Sequence, residues 1–544
     1  MIRPRVLRGP QFGPTTSGTW GVARKTSRPS VKGSSSSSVL SSLSSFILTR
    51  PLSVRPVTMD ASRPPPQRNG PFSQLPQDCL ANILDHLSLD DALSLSTSCN
   101  ALQASSMPFA LRDVRMDWTN RPRRQVLQLL QIIFENPEYA SDIQHVSMMA
   151  SNYPWEDVDP ATDWENERHE FKDVPDQAMD LVRRAGLRNV DEWHLAIHGG
   201  NIYALATVFL SQLRNLKSLR LDYSFVWWDG YPGIMLKHAL LHPNGVFSTF
   251  DQLETVEYGA NVPLAETERP DDDEVPDGYP PYNPNQFMGW FCLPSLCYLN
   301  IWLRDLKGLE EAKPDLDLSN LETLVIARST ATEHHMLYLL SRTSNLKSLH
   351  VALAFAWRGE PILQDAPTFA QALEAVSPTL EKLSLGVEYY PSTLGDREWN
   401  EADDGAFGPF HQFFTGFTNL QSAEIPLAIL LGWYWDDSIQ LGPLLPKSLS
   451  HLCLRDDLEG FYDFEWTEDR AILLLESFLQ NGKWKAYTPS LKSITLRLWN
   501  QNYTHYRRDS EERLRKMAEN FNIELHIVVD DLGSGLWALD PSSG

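Results

Sequence analysis

The sequence predicts an α/β chain: a short all-helical module, then a long solenoid with one parallel strand plus helix per repeat, behind a disordered N-terminal tail. Three observations predict it. An apolar-x-x-apolar-x-x-apolar-x-apolar phrase recurs along most of the chain, residues at helical spacing fill the gaps between its copies, and the texture changes abruptly at Pro71. At 544 residues the chain is too long for one hydrophobic core, which calls for several domains or an extended array. Its 42% hydrophobic and 10% aromatic content excludes wholesale disorder.

The first 58 residues carry Arg3, Arg5, Arg8, Arg24, Lys25, Arg28, Lys32, Arg50 and Arg55 and no acid before Asp60. Residues 1–70 therefore read as a basic, Ser/Pro-rich, disordered leader. Its composition is also that of a mitochondrial transit peptide, and Met59 is an alternative start. Without those nine positive charges the overall charge of −23 becomes −32. So acidic a surface argues against nucleic acid or an anionic membrane as partner. No apolar run reaches the roughly 20 residues that span a bilayer, and the chain reads as soluble, cytoplasmic or nuclear, or mitochondrial if the leader is genuine. Five scattered cysteines without a CxxC pair fit a reducing compartment.

From Pro71 a compact helical module begins. Pro76 suits a first helical turn and Asp78 complements the helix dipole. Leu80, Ile83, Leu84 and Leu87 then recur at i, i+3, i+4 and i+7, one apolar face. Ser88 can cap a second helix with Asp91 three positions on, and Leu95, Cys99 and Leu102 continue its apolar side. Leu75-Pro76, Asp78, Leu80, Ile83, Leu84, Leu87, the Ser-Leu-Asp-Asp turn and the Cys99-x-Ala101-Leu102 ending together resemble the F-box, over residues 71–112. One departure is visible, since Gln103, Ala104 and Ser105 stand where many F-boxes place a large aromatic just after the Leu102 position. So small a module carries more apolar side chains than it can cover. Leu75, Pro76, Leu80 and Ile83 are accordingly expected at a partner surface, with Leu84 and Leu87 shared between surface and core.

Residues 113–140 read as a helical linker, and the repeats as occupying residues 141–530, with a tail over 531–544. Clear copies of the phrase begin at Leu213, Phe250 and Leu293, and others run through Leu318-Leu321-Leu324-Ile326, Leu346-Leu349-Val351, Leu380-Leu383-Leu385, Leu420-Ala423-Ile425, Leu449-Leu452-Leu454 and Leu491-Ile494-Leu496. Weaker copies begin at Ile143 and at Val190-Trp193-Leu195-Ile197, giving about eleven units. Thr332–Leu340, Ala366–Val376 and Asp469–Gln480 have helical spacing, and a Ser510–Asn520 helix with Ile523-x-Leu525-x-Ile527 closes the array. A strand plus a helix per unit is the leucine-rich-repeat arrangement, in which no unit buries its apolar face alone. Residues 151–175 and 263–290, rich in acid with tryptophan or proline, are expected as surface loops.

Catalytic motifs do not emerge. No Gly-rich phosphate loop, HExxH, GxSxG or CxxC occurs, and no cofactor is implied. His194 and His198, read on a strand, would lie about 13 Å apart along it, too far for one ion, so no metal is expected. His334-His335 reads as a solvated helical pair, and Asp403-Asp404 as a loop. Binding remains. If leucines turn inward along each strand, His194, His198, Arg220, Asp222, Asn300, Trp302, Arg304, His350, Arg455, Arg497 and Trp499 line the opposite, open face. Arg220, Asp222, Trp302, Arg304, His350, Arg455, Arg497 and Trp499 are the candidate target-binding residues, because tryptophan and arginine dominate protein interfaces. The combination resembles the F-box and leucine-rich-repeat substrate receptors of SCF-type cullin–RING ubiquitin ligases. That resemblance implies docking on a Skp-type adaptor, a protein target held by the repeats, and no catalysis by the chain itself; the alternatives are a leucine-rich-repeat scaffold outside any ligase, its helical module only a cap, or a mitochondrially imported repeat protein.

Overall fold

The computed structural model describes residues 75–87, 100–120, 122–150, 164–227, 230–261, 284–303, 316–329, 331–356, 365–390, 414–458, 465–500 and 508–531, with Leu306 and Leu363. The leader, the Ser88 cap, Cys99, Arg304, the Asp403-Asp404 pair and residues 532–544 of the expected tail lie outside these residues.

Among the described residues most of the repeated phrases lie in one sheet of twelve parallel strands, whose spatial order is their order in the chain. They are β1 (Asp113–Asp117), β2 (His145–Met149), β3 (Ser218–Leu221), β4 (Thr255–Tyr258), β5 (Tyr298–Trp302), β6 (Thr323–Ser329), β7 (Ser348–Ala356), β8 (Lys382–Tyr390), β9 (Ser422–Pro426), β10 (His451–Arg455), β11 (Ser493–Asn500) and β12 (Glu524–Asp531). Parallel strands need a crossover, and the segments between successive strands supply it. Four helices match the periodic stretches read from sequence: Glu333–Leu340, Ala366–Val376, Glu468–Leu479 and Arg508–Asn520. Thr332 caps the first of these reciprocally with His335, and Asp365 caps the second through Thr368.

Register is held without a slip through the apolar ladder Val114, Val146, Leu219, Val256, Leu299, Leu324, Leu349, Leu383, Ala423, Leu452, Ile494 and Leu525. Nearly all of it is buried in one continuous core that also takes in the crossover helices. Asparagine just before a strand fastens unit to unit. Asn215, Asn320, Asn345 and Asn419 each donate a side-chain N–H to a carbonyl of the preceding unit, at Ser141, Pro294, Ser319 and Pro378. Each such bond satisfies a turn carbonyl that no strand partner reaches.

Three expectations need correction. Residues 113–140 are no linker: β1 pairs with β2, and the Arg123–Glu135 helix packs its apolar face into the core. The Val190 phrase is a helix, Val190–His198, inside a block of four helices between β2 and β3: Trp164–Glu170, Val174–Ala185, Val190–His198 and Ile202–Leu210. Trp164, expected in a surface loop, is buried there, with its indole N–H donated to the carbonyl of His198 and the Arg123 guanidinium 5.2 Å from its ring centre. Trp290, in the second expected loop, is likewise buried, against Tyr258.

Candidate protein-docking surfaces

The N-terminal module presents the helices Gln77–Asp85 and Asn100–Leu111. Pro76 stands immediately before the first, in the extended conformation that admits proline, and its carbonyl accepts from the amides of Cys79 and Leu80. Leu80 and Leu84 are buried and pack with Leu87 and Phe109, the module's own small core. Phe109 thus supplies an aromatic, seven residues after Leu102. The set expected at the partner surface therefore divides. Leu75 and Ile83 remain 37% and 36% exposed, Pro76 is exposed, and Leu80 joins Leu84 inside.

The sheet face opposite the leucine ladder was expected to be open, and over β7 to β11 it is closed. In register across it run Arg115, Ser147, Arg220, Glu257, Asn300, Val325, His350, Ser384, Glu424, Cys453, Thr495 and His526. Side-chain direction follows the strand period as expected. Exposure does not. His350, Ser384, Glu424 and Cys453 are buried.

A charge network accounts for part of this burial. Glu424 Oε1 lies 2.7 Å from Arg455 Nη1 and 3.4 Å from Arg497 Nη1, while its Oε2 accepts from Ser384 Oγ at 2.9 Å. Arg455 Nε reaches Asp457 at 2.7 Å, and Asp457 in turn accepts the backbone N–H of Val387. The network therefore joins β8, β9, β10 and β11 from the face away from the leucines. Burial alone would lower the Arg455 pKa, but Asp457 and Glu424 outweigh it and hold the guanidinium firmly protonated. Burial, reinforced by Glu424, pushes the Cys453 thiol well up, so it is an inert core sulfur rather than a nucleophile.

Each candidate target-binding residue can now be placed. Arg220 is exposed and pairs with Glu257 on β4 at 2.8 Å. Asp222 is buried and accepts from the backbone N–H of Ala150 and of Ser224 and from the Asn261 side chain, a structural cross-link between units. Trp302 is buried, and His350 is buried beside the Ser348 hydroxyl. Arg455 and Arg497 belong to the network. Arg304 and the Trp499 side chain lie outside the described residues. Of the eight, the described side chains leave Arg220 as the one on an open surface. Sequence reasoning missed Glu424, Asp457 and the four asparagines. The asparagines had a signal, a shared place immediately before a phrase leucine, at Leu216, Leu321, Leu346 and Leu420.

His194 and His198 are not strand residues, and their rings lie 4.3 Å apart on one helix. Among the described residues no group of three His, Cys, Asp or Glu side chains is gathered to hold a metal. No described helix is long and apolar enough to cross a membrane.

Compared with known proteins, residues 72–106 match the F-box domain family model. No curated protein matches the chain. The match ends within the Asn100–Leu111 helix, before β1.

Proposed function

We propose that the chain is the substrate-recognition adaptor of an SCF-type ubiquitin ligase. On this reading the F-box docks on a Skp-type adaptor, and the array of strands, as leucine-rich repeats, holds a protein target. The family match over residues 72–106 carries the first half. F-box proteins are generally adaptors rather than enzymes. The chain then acts by raising the effective concentration of target at a distant active site.

Leu75, Pro76 and Ile83 form the apolar contact with the adaptor, Leu80 and Leu84 support it from beneath, and Leu87 lies at the boundary. An apolar patch on a small helical module that cannot bury it is a partner site. Target binding falls to the open parts of the array, with Arg220 and Glu257 on its N-terminal half, because β7 to β11 are internally paired. Co-purification from cells tests the proposal. The parent chain is expected to bring down a Skp-type adaptor and a cullin, and the double variant Leu75→Ala with Pro76→Ala to bring down less of both. Equal recovery of both by parent and variant would remove the assigned contact.

A further inference from the structure

At the N-terminal end of the array, the sheet face away from the leucines sets two arginines and a hydroxyl in one row. Arg115 on β1, Ser147 on β2 and Arg220 on β3 are register partners, so their side chains leave the same face of adjacent strands. Neighbouring strands stand about 4.8 Å apart, which puts the two arginines roughly 10 Å apart at the backbone, with Ser147 midway. Both arginines are exposed and Ser147 is half-buried. The Arg115 guanidinium and the Ser147 hydroxyl make no hydrogen bond or ion pair among the described residues. Arg220 commits Nε alone, to Glu257, and keeps both Nη groups uncommitted.

The same sheet shows what such a donor set holds. Glu424 is bound by one hydroxyl and two guanidiniums, those of Ser384, Arg455 and Arg497. On β1 to β3 one hydroxyl and two guanidiniums are again present, and no carboxylate of the described residues is shared between them. The acids nearby have partners of their own. Asp113 lies 3.6 Å from Arg112, Asp117 accepts the backbone N–H of Thr119, and Glu257 takes Arg220 Nε.

We propose that Arg115, Ser147 and Arg220 form a docking row for an acidic side chain, glutamate or aspartate, on an extended segment of the target protein. Arginine suits the task, because its planar fork meets a carboxylate with two parallel hydrogen bonds. The net charge of −23 repels acidic segments elsewhere on the chain, so an open pair of arginines also fixes where such a segment lands. This assignment rests on the proposed role of the array in holding a target, and it names the kind of segment held.

Fluorescence anisotropy of a labelled peptide with the full chain tests the row without any adaptor. The probe is a short peptide alternating Glu and Gly, with counterparts that carry Gln or phosphoserine in place of Glu. The Glu peptide is expected to bind at least tenfold more tightly than the Gln counterpart. Arg115→Ala and Arg220→Ala should each weaken it at least fivefold, and Ser147→Ala less. Arg124→Ala removes the same charge from an exposed ion pair with Glu170 and should bind as the parent does. Glu257→Gln should tighten binding, since it releases Arg220 Nε, a gain that a merely structural Arg220–Glu257 pair would not produce. Raising the salt from about 50 to about 300 mM should weaken binding, as it does for exposed charges. Arg115→Ala is expected to melt at the parent temperature, because its side chain is exposed and makes no described hydrogen bond or ion pair, so lost binding there is not lost folding. Equal binding of the Glu and Gln peptides, parent affinity in both Arg115→Ala and Arg220→Ala, or binding of the phosphoserine peptide alone would overturn the proposal. Each of these results would leave adaptor docking, read separately by co-purification, untouched.

Discussion

Leu324 and Leu349 occupy adjacent rungs of the apolar ladder, paired in register and fully buried. Alanine at either is expected to lower stability by roughly 2–5 kcal/mol in urea denaturation, the transfer loss plus the cavity left behind. A change below about 0.5 kcal/mol, the norm for surface sites, would contradict the register. Glu424 is the corresponding residue on the other face. Glu424→Ala removes the carboxylate shared by two buried guanidinium groups, Arg455 and Arg497, and should cost about 3–5 kcal/mol by the same measurement. Leu324 was legible because its phrase repeats. Glu424 was not, because its partners Arg455 and Arg497 lie 31 and 73 positions away and meet only once the strands are stacked. Strand alternation told which way Arg455 points. It could not tell that a carboxylate was waiting there.

The helical block was misread for a reason visible in one side chain. Val190, Trp193, Leu195 and Ile197 satisfy a strand pattern if the last three share a face, yet Leu195 is 72% exposed while Trp193 and Ile197 are buried. Positions 193 and 197 are i and i+4, and the helix keeps that pair inside while releasing Leu195. The block is keyed to the array through Trp164. Gly200, at φ +77°, lies so close that an added Cβ would sit 2.4 Å from the indole. Gly200→Ala should therefore lower the melting temperature of the chain by several degrees, the shift that about 1–3 kcal/mol of backbone strain and clash produces. An unchanged melting temperature would mean that the indole is not held there. The module's helix Gln77–Asp85 was legible in full, and the division of its apolar face was not. Phe109, beyond the residues that match the family model, packs against Leu80 and Leu84, which turn inward while Ile83 turns outward.

At the scale of the molecule, the twelve strands of the described residues stand in chain order and give an array in which each unit is stabilised by its neighbours. The recurring phrase disclosed this order of strands, and the acidic balance beyond the basic leader argued against nucleic acid or an anionic membrane as partner. Deleting residues 1–70 is expected to change neither the melting temperature nor adaptor binding, since the module's described contacts lie at Leu75 and beyond. Loss of either would move the module's boundary upstream. The proposed role requires that the module at residues 72–106 docks an adaptor. Ile83→Glu tests it better than a charge at Leu80, which would be buried in the module's own core and confuse binding with folding. The decisive measurement is the affinity of a purified Skp-type adaptor for the parent chain and for Ile83→Glu, with circular dichroism confirming equal folding. A complex is expected with the parent and at least a tenfold weaker one with Ile83→Glu, because an unpaired charge would be buried at the interface. Equal affinities, or no complex with the parent, would contradict it.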